Sequence, residues 1–246
     1  MKPDVLAVIP VRFESSRFPG KALCQVGRKP LIQLIYEQVS SCRLVDTLVI
    51  ATDSTKIRDA VQAFGGRVIM TSPRHRTGSD RASEAMKKLG GNIIISIQAD
   101  NLGVKSQALD RVITDMRSDQ KIEFGTLAKK IDNENLLSDP NRVKILIDSS
   151  NHAIWFSRSP LPYLQGHNGN LLNHFDYYYH IGVYFFRKKT LEHFHSWPRS
   201  RYEKAESLEQ LRILENHRRI KVYKIKSRVF EIDAPDDLKE LKGIYY

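Results

Sequence analysis

The 246 residues of this chain, 41% of them hydrophobic, can bury a full core, and two cysteines are too few for a disulfide framework or a four-cysteine zinc site. No apolar run approaches the ~18 residues that cross a bilayer, and the opening Met-Lys-Pro-Asp is unlike a signal peptide, so we predict a cytoplasmic protein with no membrane insertion. The formal net charge is +11, and residues 187–228 hold 13 Lys/Arg against five Glu, which fits either a polyanionic partner, such as nucleic acid or a highly charged nucleotide, or a solvated basic face.

The first half of the chain alternates strands with amphipathic helices. Apolar segments predict buried parallel strands at 4–10, 47–51, 67–70 and 92–98. Apolar residues at helical spacing predict helices at 30–43, at 54–65 with Ser54 and Gly65 as caps, and around Leu109 to Met116. This alternation is typical of βαβ units on a doubly wound parallel sheet.

The loop after the first strand, residues 12–21, combines the cations Arg12, Arg17 and Lys21 with Gly20. It leaves the carboxyl end of a parallel strand, where open α/β sheets bind ligands, so its backbone and the Lys21 ammonium can hold phosphates. The loop matches neither the dinucleotide-binding fingerprint nor the Walker motif. Taken alone, it is equally compatible with a solvated turn.

Polar residues end two further segments and begin the third helix. Thr77–Arg81 starts that helix, where backbone amides can hold an anion or a base edge, although Ser79 and Asp80 would also serve as an ordinary cap. Asp100 ends the fourth strand and Asp233 ends a later segment, so the two carboxylates can converge on one Mg²⁺ beside a triphosphate. The alternative is that each aspartate only caps a helix or a turn.

The second half of the chain has the pattern of an antiparallel sheet. Two strands, 143–147 and 152–156, are joined by Asp148-Ser-Ser-Asn151, a hairpin turn by composition. Residues 163–175, rich in Gly, Asn and His, predict a loop or lid before an aromatic strand at 177–186. The remaining predicted elements are a helix near 205–216, a strand near 220–226 and a short helix after Pro235.

A series of short motifs runs through these segments in a fixed order. They are Ile9-Pro-Val-Arg12 with Ser15 and Arg17, Pro19-Gly-Lys21, Ala51-Thr-Asp53, Thr77-Gly-Ser-Asp-Arg81, Gln98-Ala-Asp100, Asp139-Pro-Asn-Arg-Val-Lys144, Phe156-Ser-Arg158, His180-Ile-Gly-Val-Tyr184, Leu208-Glu-Gln-Leu-Arg212 and Ile232-Asp-Ala-Pro-Asp-Asp237. In this order and spacing they resemble the cytidylyltransferases that make CMP-sugar acids, and most closely the 3-deoxy-manno-octulosonate cytidylyltransferase (CMP-Kdo synthetase) family. The resemblance runs nearly from end to end.

The resemblance implies a fold, a reaction and an assembly. The fold is a mixed, mostly parallel α/β sheet of the nucleotidyltransferase (Rossmann-like) type, a single domain over 1–246 with a small antiparallel dimerisation lobe within about 132–190. The reaction joins CMP from CTP to a sugar acid, Kdo or a close relative, with Mg²⁺ as cofactor, for lipopolysaccharide or surface polysaccharide synthesis. The assembly is a homodimer.

The resemblance also implies roles for individual residues. The catalytic residues would be Arg12, Lys21 and Asp100. The nucleotide would contact Arg12, Ser15, Lys21, Thr77, Gly78, Ser79 and Arg81. The sugar acid would contact Arg158, His180, Tyr184, Glu209 and Gln210. The metal ligands would be Asp100 and Asp233.

The chain departs from this family where the fourth strand ends. The family usually has Gln-Gly-Asp-Glu-Pro there, whereas this chain has Gln98-Ala-Asp-Asn-Leu102. Asp100 is retained, but a carboxylate is replaced by the Asn101 amide, which can donate as well as accept a hydrogen bond. Two interpretations stay open: weaker Mg²⁺ binding through lost hydrogen bonds around the ligand, or a pocket reshaped for a different substrate.

Two other functions are compatible with the sequence. One is a divergent paralogue that uses another acidic sugar or is nearly inactive. The other is a nucleic-acid-binding protein, which the basic stretch permits, but the chain lacks interleaved exposed aromatic residues and any recognised binding motif. A nucleic-acid partner is therefore disfavoured.

Overall fold

The computed structural model describes residues 2–14, 18–167, 169–232, 237–238 and 241. Its strands are β1 Val5–Val11, β2 Gln25–Val26, β3 Lys29–Pro30, β4 Thr47–Thr52, β5 Val68–Met70, β6 Ile93–Ile97, β7 Asn101–Leu102, β8 Phe124–Lys130, β9 Lys144–Ile147, β10 Ala153–Ser157, β11 Tyr178–Arg187, β12 Ile220–Ile225 and β13 Phe230–Glu231. Its α-helices are α1 Leu31–Ser40, α2 Thr55–Ala63, α3 Gly78–Leu89, α4 Ser106–Ser118, α5 Glu134–Ser138, α6 Lys188–Ser196, α7 Arg201–Glu206 and α8 Leu211–Glu215. Single 3₁₀ turns lie at Lys21–Leu23 and Leu171–Asn173.

The first half of the chain forms the parallel centre of the main sheet. Strands lie there in the order β6-β1-β4-β5, and β1 is paired with β4 on one side and β6 on the other. All seven residues of β1 are buried, because helices pack on both faces of the sheet and an apolar run has no solvent face. The predicted mixed α/β class with a parallel centre is confirmed.

The second half continues the same sheet with antiparallel strands. β11 pairs antiparallel with β6, β8 and β9, and the β9–β10 hairpin extends the sheet beyond it. β12 pairs parallel with β8. The pairing of β11 with β8 shifts register between Ile181 and Tyr184, and this irregularity lies beside the cavity described below. The predicted hairpin turn is confirmed, since Asn151 N donates to Asp148 O at 3.0 Å.

The predicted helix near 205–216 is wrong as a continuous element. Two short helices, α7 and α8, take its place, and Ser207 between them has φ +54°. The left-handed backbone at Ser207 stops α7, so Glu209 and Gln210 lie in the break rather than on a helix face. Both then line the cavity.

The two-residue strands β7 and β13 form a separate small antiparallel sheet. Its pairs are Leu102 with Phe230 and Asn101 with Glu231. Two-residue strands carry no periodicity, so the sequence gives no signal for them. The pairing brings residues 230–232 against the end of β6. The predicted helix after Pro235 lies outside the described residues.

Within the described ranges, no helix combines the length and the apolar character that a bilayer crossing requires. Part of the basic stretch is internal to the fold. Arg187 donates to Asp119 O at 2.9 Å and to Met116 O, closing the carboxyl end of α4. Arg212 is 4% exposed and binds both carboxylate oxygens of Glu203 at 2.7 and 2.5 Å.

Candidate active site

A polar cavity of about 470 Å³ opens where β1 and β6 end and α3 begins. This is the edge at which open α/β sheets bind ligands. Nine of the predicted site residues line it: Arg12, Thr77, Gly78, Asp100, Arg158, His180, Tyr184, Glu209 and Gln210. Ser15 and Asp233 lie outside the described residues. The cavity is also lined by Gln98 and Asn141, which stand in the quoted motifs without an assigned role, and by Arg76 and Arg199, which the sequence did not single out.

Lys21 is not among the residues that line the cavity, but it forms an ion pair with Asp100, which is. Lys21 Nζ lies 2.9 Å from Asp100 Oδ2 and donates to the carbonyl oxygen of Ile232 at 2.9 Å. The turn that brings Lys21 back needs Gly20 at φ +72°, a conformation that L side chains rarely adopt. The side chains are only 16% and 21% exposed, so the pair is held rather than mobile.

The residues around Asp100 are compatible with a magnesium ion. Mg²⁺ is usually held by one or two carboxylates, with substrate phosphates and water completing its shell. Asp100 supplies one carboxylate at the cavity wall, beside Gln98 and near the Arg12 cation. Among the described residues no group of three His, Cys, Asp or Glu forms a protein-only metal cage. The assignment of Asp100 and Asp233 as metal ligands stays a prediction.

The start of α3 forms a second wall of the cavity. Thr77 and Asp80 make a capping box, in which Thr77 Oγ1 accepts from Asp80 N at 3.2 Å and Asp80 Oδ2 accepts from Thr77 N at 3.1 Å. A Cβ at Gly78 would lie 3.0 Å from Pro10 Cγ, so glycine lets this helix start close to β1. Ser79 is buried and donates to Glu209 Oε1 at 2.9 Å.

Arg81 is 1% exposed and is not among the residues that line the cavity. Its guanidinium lies 2.5 Å from Asp53 Oδ2 and donates to Thr71 Oγ1 at 2.7 Å. Arg81 therefore ties α3 to the ends of β4 and β5, a structural role that the sequence motif did not reveal. Its predicted contact with nucleotide stays a prediction.

We expect Arg81→Met to destabilise the protein by about 3 kcal/mol, because it leaves the Asp53 carboxylate without its buried partner. The loss corresponds to a fall in Tm of roughly 6 to 12 °C for a chain of this size. Lys88→Met is the matched control, since Lys88 lies on the same helix and its pair with Glu84 is 48% exposed on the lysine side. Thermal unfolding of both variants checks this, and equal Tm values would contradict the structural role of Arg81.

His180 is buried in the cavity wall with one ring nitrogen already bonded. Thr126 Oγ1 donates to Val183 O at 2.8 Å, so it accepts from His180 Nε2–H at 2.8 Å. This bond fixes the tautomer and leaves Nδ1 as an acceptor. Burial lowers the pKa of His180 to about 3, so the ring is neutral at physiological pH. Thr126 carries no sequence signal, because a threonine inside a strand is common.

Tyr184, Glu209 and Gln210 form the buried wall beside His180. Tyr184 Oη donates to Gln210 Oε1 at 3.0 Å, and burial raises the pKa of the Tyr184 phenol well above its ordinary value. Burial also raises the pKa of the Glu209 carboxyl. Considering the described residues only, Glu209 Oε2 and Gln210 Nε2 have no hydrogen-bond partner. An unmatched acceptor and an unmatched donor on a cavity wall are typical of a site that binds a polar ligand.

Arg158 and Lys144 hold the loop at the far side of the cavity. Arg158 Nε donates to Glu206 O at 2.7 Å and its Nη1 to Pro140 O at 2.9 Å. Lys144 is fully buried and its Nζ donates to Asp139 O at 2.8 Å; burial lowers the pKa of this amine to about 8. The two cations therefore fix the segment that places Asn141 on the cavity wall.

The sequence matches a known protein family and named relatives. The family model described as Cytidylyltransferase matches residues 6–220. A 3-deoxy-manno-octulosonate cytidylyltransferase of Geobacter sulfurreducens is 38% identical over 248 residues, which cover 97% of this chain and 98% of the relative. A protein of the same name from Thermodesulfovibrio yellowstonii is 41% identical over 247 residues, covering 95% of each chain.

Solved structures agree with this match. A CMP:2-keto-3-deoxy-manno-octonic acid synthetase in complex with CTP superposes with a TM-score of 0.89 at 33% identity, covering 98% of this chain and 97% of that one. A putative glucose-1-phosphate thymidylyltransferase from Bacillus anthracis superposes with a TM-score of 0.69 at 15% identity, covering 98% and 95%. At that identity the second likeness extends to the fold alone.

Proposed function

Because the chain belongs to the 3-deoxy-manno-octulosonate cytidylyltransferase family, we propose that it transfers CMP from CTP to a sugar acid, Kdo or a close relative, and releases pyrophosphate. One observation carries the proposal. A single polar cavity is lined both by Asp100, the ion-pair partner of Lys21, and by the buried wall of His180, Glu209 and Gln210. Such a cavity can hold a triphosphate and a polyhydroxylated acid side by side.

The reaction needs positioning and charge stabilisation from the protein. A hydroxyl oxygen of the sugar forms a bond to the α-phosphorus of CTP, the bond from that phosphorus to the bridging oxygen breaks, and the hydroxyl proton leaves to solvent. Negative charge then builds on the departing pyrophosphate, where Arg12 and Lys21 offset it. The reaction requires no covalent intermediate with the protein.

Asp100, together with Asp233, is our proposed holder of the magnesium ion. When bound, Mg²⁺ supplies positive charge to the phosphate oxygens and lowers the pKa of a coordinated hydroxyl. Lys21 Nζ donates to Oδ2 of the Asp100 carboxylate at 2.9 Å and holds its orientation. In this proposal the Asp100 carboxylate and the Lys21 ammonium act together on the phosphates of CTP.

The buried wall has the chemistry to bind sugar hydroxyls. His180 Nδ1 and Glu209 Oε2 can accept hydrogen bonds, and Gln210 Nε2 can donate them, while the bonds to Thr126, Ser79 and Tyr184 hold these groups in place. A ligand lacking the matching hydroxyls would leave these buried atoms unpaired, which costs affinity. The wall is therefore the part of the site that selects the sugar.

We expect His180→Ala to raise the KM for the sugar acid by about tenfold and to change the KM for CTP much less, since one hydrogen bond on the sugar side is lost. The ring is neutral above about pH 3, so His180 contributes no titration to the wild-type sugar KM between pH 6 and 8. Steady-state kinetics with each substrate varied check both points.

His180→Phe separates binding from packing. Phenylalanine keeps a ring beside Phe156 and Tyr184 but has no ring nitrogen. A sugar KM restored to the wild-type value by phenylalanine would assign His180 to packing alone.

We also propose that the protein acts in the cytoplasm as a homodimer and feeds lipopolysaccharide or surface polysaccharide synthesis. The proposal is supported by two exposed hydrophobic side chains, Ile154 on β10 and Tyr163 in the loop after it, which are 55% and 88% exposed. Both residues lie within the region of about 132–190 in which the family resemblance implies a dimerisation lobe. Light scattering across a concentration series tests the assembly.

The decisive experiment is a pyrophosphate-release assay of CTP with Mg²⁺ against Kdo, an amino-substituted Kdo and other sugar acids. Turnover with Kdo or a close relative is the expected result. Turnover only with a distant acidic sugar would favour the divergent paralogue. Salt-sensitive retention on heparin with no turnover on any sugar would favour the nucleic-acid-binding alternative.

A further inference from the structure

Asn101 lies directly after Asp100 on β7, and its side chain is buried between two parts of the cavity wall. Its amide nitrogen Nδ2 donates to Asp100 Oδ1 at 2.7 Å. Its amide oxygen Oδ1 accepts from the backbone N–H of Gly182 at 3.3 Å. The residue is only 2% exposed, so water does not compete for either bond. The side chain thus links the aspartate to strand β11.

The Asn101 side chain contacts β11 at Gly182, where the backbone of the strand packs tightly against Asn101 and Gln98. A Cβ at Gly182 would lie 2.8 Å from Asn101 Nδ2 and 2.8 Å from Gln98 Oε1, so no larger residue fits without displacement. Gly182 stands midway between His180 and Tyr184, within the register shift of β11 against β8. A change in position of Asn101 would therefore reach both of these cavity-wall residues.

The backbone of Asn101 is also held by hydrogen bonds. Its backbone N–H donates to Gln98 O at 3.2 Å, and its carbonyl oxygen accepts from Gln38 Nε2 at 3.4 Å. Its backbone pairs with Glu231 of β13. Each oxygen of Asp100 then has its own donor, Lys21 Nζ on Oδ2 and Asn101 Nδ2 on Oδ1. The orientation of this carboxylate is fixed on both sides.

We propose that Asn101 is a positioning residue, whose amide sets the Asp100 carboxylate in register with the sugar-side strand β11. The assignment rests on the proposed function for its effect on turnover. Both halves of the amide are needed, since a carboxylate at position 101 could accept from Gly182 but could not donate to Asp100. It would also place a second negative charge beside the first. Replacing Asn101 by glutamate, the residue that the family usually carries here, would therefore not restore the orientation of Asp100 in this chain.

The variants Asn101→Asp and Asn101→Leu test the two side-chain hydrogen bonds of Asn101 separately. Aspartate keeps an acceptor for the Gly182 N–H and loses the donor to Asp100; leucine loses both. We expect each to lower kcat by about 10- to 100-fold, as for other partners that orient a ligating group. The KM for CTP stays within about threefold, because Arg12 and Lys21 are unchanged. Leucine adds no charge, so it remains informative if the aspartate variant does not fold.

Amide hydrogen exchange gives a readout that does not depend on turnover. Exchange at Gly182 should speed up in Asn101→Leu and stay near the wild-type rate in Asn101→Asp. Asn92→Asp is the matched control, since Asn92 Nδ2 also donates to an aspartate, Asp4 Oδ1 at 2.9 Å, but at the opposite end of β6 and exposed. It should change neither kcat nor Gly182 exchange.

A folded Asn101→Asp or Asn101→Leu variant with wild-type kcat would overturn the proposal. So would a lower kcat that is matched by an equal loss in the Asn92→Asp control. If the wild type turns over no sugar acid, the proposed function fails, whereas the exchange pattern at Gly182 still decides whether the amide link exists.

Discussion

Lys21→Ala is expected to lower kcat by about 10²- to 10³-fold at saturating CTP, the effect of removing one preorganised donor from a charged transition state. The ammonium is held by Asp100, which lines the cavity, and by the Ile232 carbonyl oxygen. Its removal leaves the leaving pyrophosphate with Arg12 as the remaining predicted cation. Single-turnover measurements of pyrophosphate release give the rate of the chemical step directly.

The structure shows why stability must be measured beside the rate. The Lys21 side chain is only 16% exposed, so its loss also leaves a half-buried carboxylate short of a partner, at a cost of about 1 to 3 kcal/mol. Lys21→Met keeps the aliphatic stem and separates packing from charge. Lys29→Ala is the surface control, because Lys29 pairs with Glu37 in an exposed salt bridge. A wild-type rate in a folded Lys21 variant would contradict the assigned role.

Asp100→Asn should remove Mg²⁺-dependent turnover by roughly 10³-fold or more, since a metal contributes several kcal/mol of charge stabilisation. Asparagine keeps the volume and one oxygen but loses the negative charge that Mg²⁺ requires. CTP affinity should persist in part, because the predicted phosphate contacts of Arg12 and Lys21 are unchanged. Titration calorimetry with CTP and a rate series in Mg²⁺ separate binding from chemistry.

Asp4→Asn is the matched control for that replacement. Asp4 also accepts a bond from an asparagine amide and pairs with Arg117, but the pair is exposed and lies at the opposite end of the sheet. We expect its kinetics to equal those of the wild type. Full activity of Asp100→Asn at ordinary Mg²⁺ would make Asp100 a structural residue.

The parallel half of the fold follows from the sequence because each strand there is a continuous apolar run. β1 is apolar throughout, and β6 is apolar except for the buried Ser96, so both are predicted as strands buried on both faces. β1 is followed directly by Arg12, and β6 is followed directly by Gln98, two residues before Asp100. The N-cap at Ser54 has a similarly local cause, since Ser54 Oγ accepts from Ile57 N at 3.4 Å.

Features that depend on contacts between residues far apart in the chain could not be predicted from the sequence. The break falls at Ser207, whose left-handed backbone is not visible in the helical spacing, so the spacing alone predicted one helix. Arg81 reads as a ligand-binding cation in its motif, although its partner Asp53 lies 28 residues earlier. The roles of Asn101 and Thr126 depend on bonds to β11, which no local pattern encodes.

The pairing of β7 with β13 also determines at which stage of synthesis and folding the candidate site forms. Lys21 meets Asp100 across 79 residues and the Ile232 carbonyl across 211, so this part of the candidate site is made of contacts with very large sequence separation. Closing such loops is slow, and a chain emerging from the ribosome holds an incomplete cavity until its last segments have been synthesised. Substrate can therefore bind fully only to the finished fold, and CTP would act as a ligand that stabilises the native state against unfolding.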